Sequence, residues 1–219
     1  MTVQLEFRDQ IAVLTLGDDE NRFSPTRLDD IDAALDRALD EGAQALVSTG
    51  AGKFYSNGLD LDWLGANGDR LDWYVDRVHR LLARMLTLPI PTAAAVVGHA
   101  FGAGAMLAMA HDFRVMRTDR GFFCLPEVDI LIPFTPGMAA LLQAKFTPQT
   151  AVAAMTTGRR FGGPDALAFG IVDATAGEDE VTGAAVDLLR PLHGKDRGTL
   201  GAIKTTMFGP AARVLTGQQ

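Results

Sequence analysis

The chain has 219 residues, 47% of them hydrophobic and 21% charged, with 27 acidic against 20 basic side chains and a net charge of −7. That composition excludes intrinsic disorder, and the length suits one globular domain, or one domain with a small appendage. The acidic balance argues against a nucleic-acid backbone or an anionic membrane as the main partner, and the single cysteine, Cys124, excludes an internal disulfide framework.

Two short apolar runs, 3–8 and 11–16, read as strands joined at Asp9-Gln10 into a hairpin. Ser24-Pro25 offers an N-cap followed by proline at the first helical position. The helix it opens carries Leu28, Ile31, Ala34, Leu35 and Leu39 at helical spacing and stops near Gly42. A buried strand follows at 43–48, then a turn-rich stretch at 51–58 and a helix over about 70–87. The run from Ala93 to Ala110 is apolar throughout except for His99. It falls at the short end for a membrane span. Pro91, Gly98, Gly102 and Gly104 divide it better into a strand (92–97), a glycine turn and a helix (103–110). A strand at 113–116 and broken apolar runs over 121–132 complete this half. From Thr135 onward the pattern is helical, at 136–145, 148–157, 164–169, 179–190 and 198–208. Strands and helices alternate early and helices alone follow. The reading is an α/β core over 1–134 and a helical part over 135–219.

Gly-x-Ser-x-Gly, a Walker loop, His-Glu-x-x-His and paired Cys-x-x-Cys are all absent from the sequence. Leu107 stands where a dinucleotide fingerprint wants its last glycine. The histidines at 79, 99, 111 and 193 lack metal-like spacing, and His99 and His111 read as core or boundary side chains. Cys124 sits among aromatic and apolar neighbours and reads as a packed thiol.

Two glycine turns remain, each between a strand-like run and a helix start: Ser56-Asn57-Gly58 and Phe101-Gly102-Ala103-Gly104. Each is either a tight loop or a place where free amides meet a partial negative charge. Facing each other, the two would form an oxyanion hole, as an enolate needs. The third element is Glu127, in Cys124-Leu125-Pro126-Glu127-Val128-Asp129-Ile130. It is either a solvated turn carboxylate or, among apolar neighbours, a buried base with a raised pKa. Asp129 is the competing carboxylate.

At these three elements the chain resembles the crotonase (enoyl-CoA hydratase/isomerase) superfamily. Gly52 to Leu61, Pro91 to Leu107 and Leu125 to Gly137 match three family motifs in order, and a fourth stretch from Ala154 to Asp173 looks like the helical segment that follows. The resemblance implies a crotonase-like ββα spiral with a helical C-terminal part, and a homotrimer or hexamer. It implies a coenzyme A thioester as substrate, with no further cofactor and no metal. It places oxyanion amides at Asn57 and Ala103, where alanine replaces the usual glycine. The coenzyme would lie along Arg22, Phe23 and Ser24 and along Ser56, Gly58, Leu59, Asp60 and Leu61, with Gly102 beside the thioester. Hydratases carry two catalytic glutamates. Glu127 matches the second, and Met106, read as a pocket-lining residue, stands where the first would be. The wording Phe-x-Ser-Asn-Gly-x-Asp-Leu with Glu127 alone is most similar to the Δ3,Δ2-enoyl-CoA isomerase branch, which acts in fatty acid degradation. A hydratase or other crotonase-fold acyl-CoA enzyme, and a non-catalytic acyl-CoA-binding protein, are the alternatives. The ending TGQQ is not a peroxisomal Ser-Lys-Leu address, and cytoplasm is the expected location.

Overall fold

A computed structural model describes residues 3–218. Strands β1 (Gln4–Arg8) and β2 (Ile11–Thr15) form the expected antiparallel hairpin, with Asp9 in the left-handed region (φ 57°) at its turn. Helix α1 (Pro25–Asp40) starts as its cap signals require: Ser24 Oγ accepts a hydrogen bond from the Arg27 amide, and Pro25 occupies the first turn. Beyond it come β3 (Ala45–Thr49), β4 (Phe54–Ser56), α2 (Leu61–Ala66), α3 (Leu71–Leu86), β5 (Thr92–Val96), β6 (His99–Phe101) and α4 (Ala103–Ala110). The chain continues through β7 (Phe113–Arg117), β8 (Phe123–Cys124), α5 (Pro136–Lys145), α6 (Pro148–Met155), β9 (Arg160–Phe161), α7 (Gly163–Ala168), β10 (Ala174–Ala176), α8 (Val181–Leu189) and α9 (Arg197–Leu215).

Two sheets result. The larger has the order β1-β2-β3-β5-β7-β10, parallel throughout except for the hairpin. The smaller has the order β4-β6-β8-β9, with β4, β6 and β8 parallel. After the β1-β2 hairpin and α1, three successive turns of the chain (β3-β4, β5-β6 and β7-β8) each lay one strand in the large sheet and the next in the small sheet, and then run into helix. That is the ββα spiral. The central strands of the large sheet, β2, β3, β5 and β7, bury both faces, as parallel sheets do. Ala12, Leu14 and Leu46 face the main core, while Ile11, Val13, Ala45 and Val47 face α8. The strand period of two explains the split.

Two corrections to the sequence reading concern the segment after residue 134. It is not purely helical: β9 extends the small sheet and β10 the large one. Both are too short for alternation to be read. Helix α9 does not stop at Phe208 but runs through Gly209-Pro210 to Leu215. Packing overrides the stop signal there. Phe208, Ala211 and Leu215 are buried in the main core, and Gly137 of α5 lets the Leu215 backbone approach so closely that a Cβ would sit 2.7 Å from its Cα.

Candidate active site

The parallel pairing of β4, β6 and β8 decides where the motifs go. Their registers, Ser56 opposite Ala100 and Phe101 opposite Cys124, bring three strand ends to one edge of the small sheet. The next residues in each case are Asn57-Gly58, Gly102-Ala103 and Leu125-Pro126-Glu127. The two glycine turns abut. A Cβ on Gly58 (φ 80°) would lie 2.7 Å from the Phe101 carbonyl oxygen and 2.8 Å from the Ala103 amide nitrogen. A Cβ on Gly104 would lie 2.3 Å from the Ser56 carbonyl oxygen. Only glycine permits this approach.

One expected oxyanion amide is not available. The Asn57 N–H donates to the Glu20 carbonyl oxygen (2.8 Å), because the chain before α1 runs alongside this loop. The Gly58 N–H donates to Ser56 Oγ (3.1 Å). Among the described residues nothing accepts from the Leu59 amide or from the Ala103 amide at the first position of α4. Of the unpaired amides of the two abutting turns, those of Leu59 and Ala103 belong to residues that line the adjoining cavity. The first lies two residues beyond Asn57, the position the resemblance implies. A motif gives the order of residues, not which N–H a neighbouring segment consumes.

Leu59 and Ala103 line a cavity of about 220 Å³ together with Gly102, Met106, Glu127 and Met138. Glu127 is 8% exposed, and its Oε2 is buried without a partner among the described residues. Burial pushes its pKa from 4.5 up to about 7, against a smaller opposing effect of its own backbone amide. The loop that holds it is closed by the Ile132 amide donating to the Glu127 carbonyl oxygen (3.1 Å). Among the described residues, Glu127 is the only carboxylate that lines this cavity. Met106, on α4, is 1% exposed and lines the same space.

A sequence profile described as Enoyl-CoA hydratase/isomerase matches residues 6–219. The chain belongs to the enoyl-CoA hydratase/isomerase family. It is 38% identical over 201 residues to "Enoyl-CoA delta isomerase 3" of Arabidopsis thaliana, covering 87% of this chain and 84% of the relative. It is also 33% identical over 216 residues to a probable enoyl-CoA hydratase of Mycobacterium tuberculosis, covering 96% of this chain and 82% of the relative. Among solved structures, an enoyl-CoA isomerase of M. tuberculosis superposes with a TM-score of 0.91 at 27% identity, covering 98% of this chain and 94% of the other. The fold is the crotonase-like spiral. Within the enoyl-CoA hydratase/isomerase family, names of both reactions appear among the relatives, so the choice between them rests on the site.

Of the other residues expected to touch the coenzyme, Arg22, Leu61 and Gly102 line the cavity and Phe23, Ser56, Gly58 and Asp60 do not. The Phe23 side chain is fully buried in the core. Its backbone ties the loops instead, N–H to the Gly58 carbonyl oxygen (2.8 Å), with its own carbonyl accepting from the Tyr74 hydroxyl (2.8 Å). Ser56 is also fully buried and donates to the Asn21 carbonyl oxygen (2.7 Å). Asp60 caps α2 by accepting from the Trp63 amide. Ser56, Gly58 and Asp60 shape the loop, which is why they sit inside the motif without facing the cavity. Arg22 pairs with Glu20 and Asp62, both at 2.5 Å. Asp129 is exposed beside Gly158 rather than in the cavity, because the turn after Pro126 carries it away. Met138, Ile130 and Ile132 line the site but escaped the sequence reading. The short apolar run Ile130-Leu131-Ile132 was their only signal.

His111 and Cys124 are held by internal hydrogen bonds. His111 is fully buried, hydrogen-bonded to Ser48 Oγ and the Leu107 carbonyl oxygen (both 2.8 Å), and burial lowers its pKa to about 3. Cys124 donates to the Gly158 carbonyl oxygen, and burial raises its pKa to about 11. No helix among the described residues is long and apolar enough to cross a membrane.

Proposed function

We propose that this member of the enoyl-CoA hydratase/isomerase family converts 3-enoyl-CoA to trans-2-enoyl-CoA with Glu127 as its single acid–base group. The thioester oxygen lies against the Leu59 and Ala103 amides. The Glu127 carboxylate removes a proton from carbon 2, and the electron pair delocalises onto the thioester oxygen as a dienolate. The same carboxyl group then returns the proton to carbon 4, so the double bond moves from position 3 to position 2. Nothing is added or lost, and no cofactor beyond the substrate's own coenzyme A is required. A pKa of about 7 suits a group that must both take and give a proton near neutrality. Each oxyanion donor of this kind contributes about 10²–10³ in rate.

One observation carries the choice of isomerisation. The cavity holds one carboxylate among its described lining residues, with the thioether of Met106 on its wall. Hydration must also position and activate a water, which one carboxylate already engaged with carbon 2 does poorly. The apolar lining keeps water out and favours transfer to the substrate. Arg22, Leu61 and Gly102 are the residues proposed to flank the coenzyme. The decisive experiment compares 3-enoyl-CoA isomerisation with 2-enoyl-CoA hydration in one preparation. Isomerisation should be much faster, and equal or faster hydration would overturn the reading.

The proposal extends to a homotrimer, single or paired. Its support is the set of apolar side chains left exposed on the later helices, Val152, Leu167, Ile203 and Met207. Light scattering at micromolar concentration should give at least a trimer mass; a monomer mass would refute it.

A further inference from the structure

Along the first glycine turn, the amides on either side of Leu59 are engaged. The Gly58 N–H donates to Ser56 Oγ (3.1 Å), and the Asp60 N–H donates to the Tyr74 hydroxyl (2.8 Å). Both peptide units that meet at Leu59 are also held in place. The Gly58 carbonyl shares a planar unit with the Leu59 N–H and points the opposite way. It accepts from the Phe23 N–H (2.8 Å), which fixes the direction of the Leu59 N–H from one side. The Tyr74 bond to the Asp60 N–H fixes the next unit. The same hydroxyl donates to the Phe23 carbonyl oxygen (2.8 Å). Three hydrogen bonds therefore close a ring through Phe23, Gly58, Asp60 and Tyr74, with the Leu59 amide inside the span it braces.

We infer that Tyr74 is a positioning residue for the reaction: from outside the cavity, its hydroxyl aims the Leu59 N–H at the thioester oxygen. This rests on the acyl-CoA reading above and goes beyond it. The Tyr74 side chain, on α3, is fully buried, does not line the cavity beside Glu127, and packs against Trp63 of α2 with ring centroids 5.2 Å apart. Burial pushes its pKa up to about 12. The hydroxyl therefore keeps its proton near neutrality, and its two bonds keep their directions. A hydrogen bond weakens steeply when its donor is turned away from the acceptor. Without the hydroxyl, the unit beyond Leu59 and the Phe23 carbonyl both lose their partner, and the Leu59 N–H is free to swing. The donor must then reorganise as the enolate forms, the cost that a preorganised amide avoids.

Tyr74→Phe removes the hydroxyl and keeps the ring. Its kcat for 3-enoyl-CoA isomerisation should fall about tenfold, part of the 10²–10³ that a whole oxyanion donor contributes, with KM within about threefold of wild type. Infrared difference spectra read the donor directly, using a saturated acyl-CoA isotope-labelled at the thioester carbonyl, which binds without reacting. The bound carbonyl stretch should lie at higher frequency on the variant than on wild type, because a misaimed amide polarises it less. A purely structural Tyr74 would lower the melting temperature and leave that frequency and the kcat of the folded fraction unchanged. If the variant folds poorly, hydrogen exchange of the wild-type protein carries the test: the Asp60 amide should be protected in the free protein, and the Leu59 amide only once the saturated acyl-CoA is bound. An unchanged carbonyl frequency in the folded variant, or an Asp60 amide that exchanges as fast as that of Leu59 in the free protein, would overturn the inference while leaving the isomerase reading standing. Failure of the saturated acyl-CoA to bind would overturn both.

Discussion

Replacing Glu127 by glutamine should make the protein more stable while removing most of its activity. The side chain is 8% exposed, and its Oε2 finds no partner among the described residues. Burial therefore disfavours the charged form and raises the pKa from 4.5 to about 7. An acid whose folded pKa lies above its unfolded value makes the native state the better proton binder. Wild-type stability is then fully present below about pH 4.5, declines as pH rises to about 7, and is level above it. At about 1.36 kcal/mol per pKa unit, the ionised group costs at most about 3 kcal/mol at pH 8. Glutamine keeps the shape without the charge. The two proteins should have equal melting temperatures near pH 4.5, and the variant should melt several degrees higher at pH 8, since about 1 kcal/mol moves a domain of this size by roughly 2–4 °C. Its isomerisation rate should fall by about 10²–10⁴. Thermal melts across pH 4.5–8 with a parallel activity assay measure both. Equal melting temperatures at both ends of the range would show that a buried, unpartnered charge is not what raises this pKa, and the reasoning would fail.

Because the base must be ionised to act, wild-type kcat/KM should rise with pH through about 7 and level off, read from a pH–rate profile. Gly58→Ala places a methyl group 2.7 Å from the Phe101 carbonyl oxygen and 2.8 Å from the Ala103 nitrogen; forcing the two amide turns apart should lower kcat by about 10²-fold or more in steady-state assays. Met106→Glu puts a second carboxylate on the cavity wall. It should gain measurable 2-enoyl-CoA hydration and lose several kcal/mol in urea unfolding, of the order that an unpaired buried charge costs; stability loss without hydration would place Met106 outside the reaction. Leu131 is 88% exposed with φ 58°, so Leu131→Gly should stabilise by about 0.5–1 kcal/mol, relief of left-handed strain outweighing the greater freedom of glycine in the unfolded chain.

Local rules carried most of the fold. Ser24-Pro25 fixed the start of α1, and Thr135-Pro136 and Thr147-Pro148 begin α5 and α6 by the same cap chemistry. The chemistry of α4 as a wholly buried helix after a glycine turn was also readable, residue for residue. What was lost was set by tertiary structure. Strands β9 and β10 exist only as partners of β8 and β7, and α9 survives Pro210 through its packing on α5. In the site, the buried carboxylate of Glu127 and the two turns were legible because each breaks a local pattern. The identity of the free amide was not. Asn57 and Leu59 flank the same glycine, and only the neighbouring Glu20 carbonyl decides between them. Chain order puts Phe23 and Ser56 next to residues that line the cavity, whereas packing behind the loop buries both.

The central claim is that one carboxylate carries one proton from carbon 2 to carbon 4. Single turnover of a 3-enoyl-CoA deuterated at carbon 2 tests it most directly. Glu127 acting alone in a dry cavity should deliver part of the label to carbon 4 of the product in ordinary water, detectable by mass spectrometry and NMR. A product whose carbon 4 carries only solvent hydrogen from the first turnover would mean that water or a second group handles the proton, and would contradict the account.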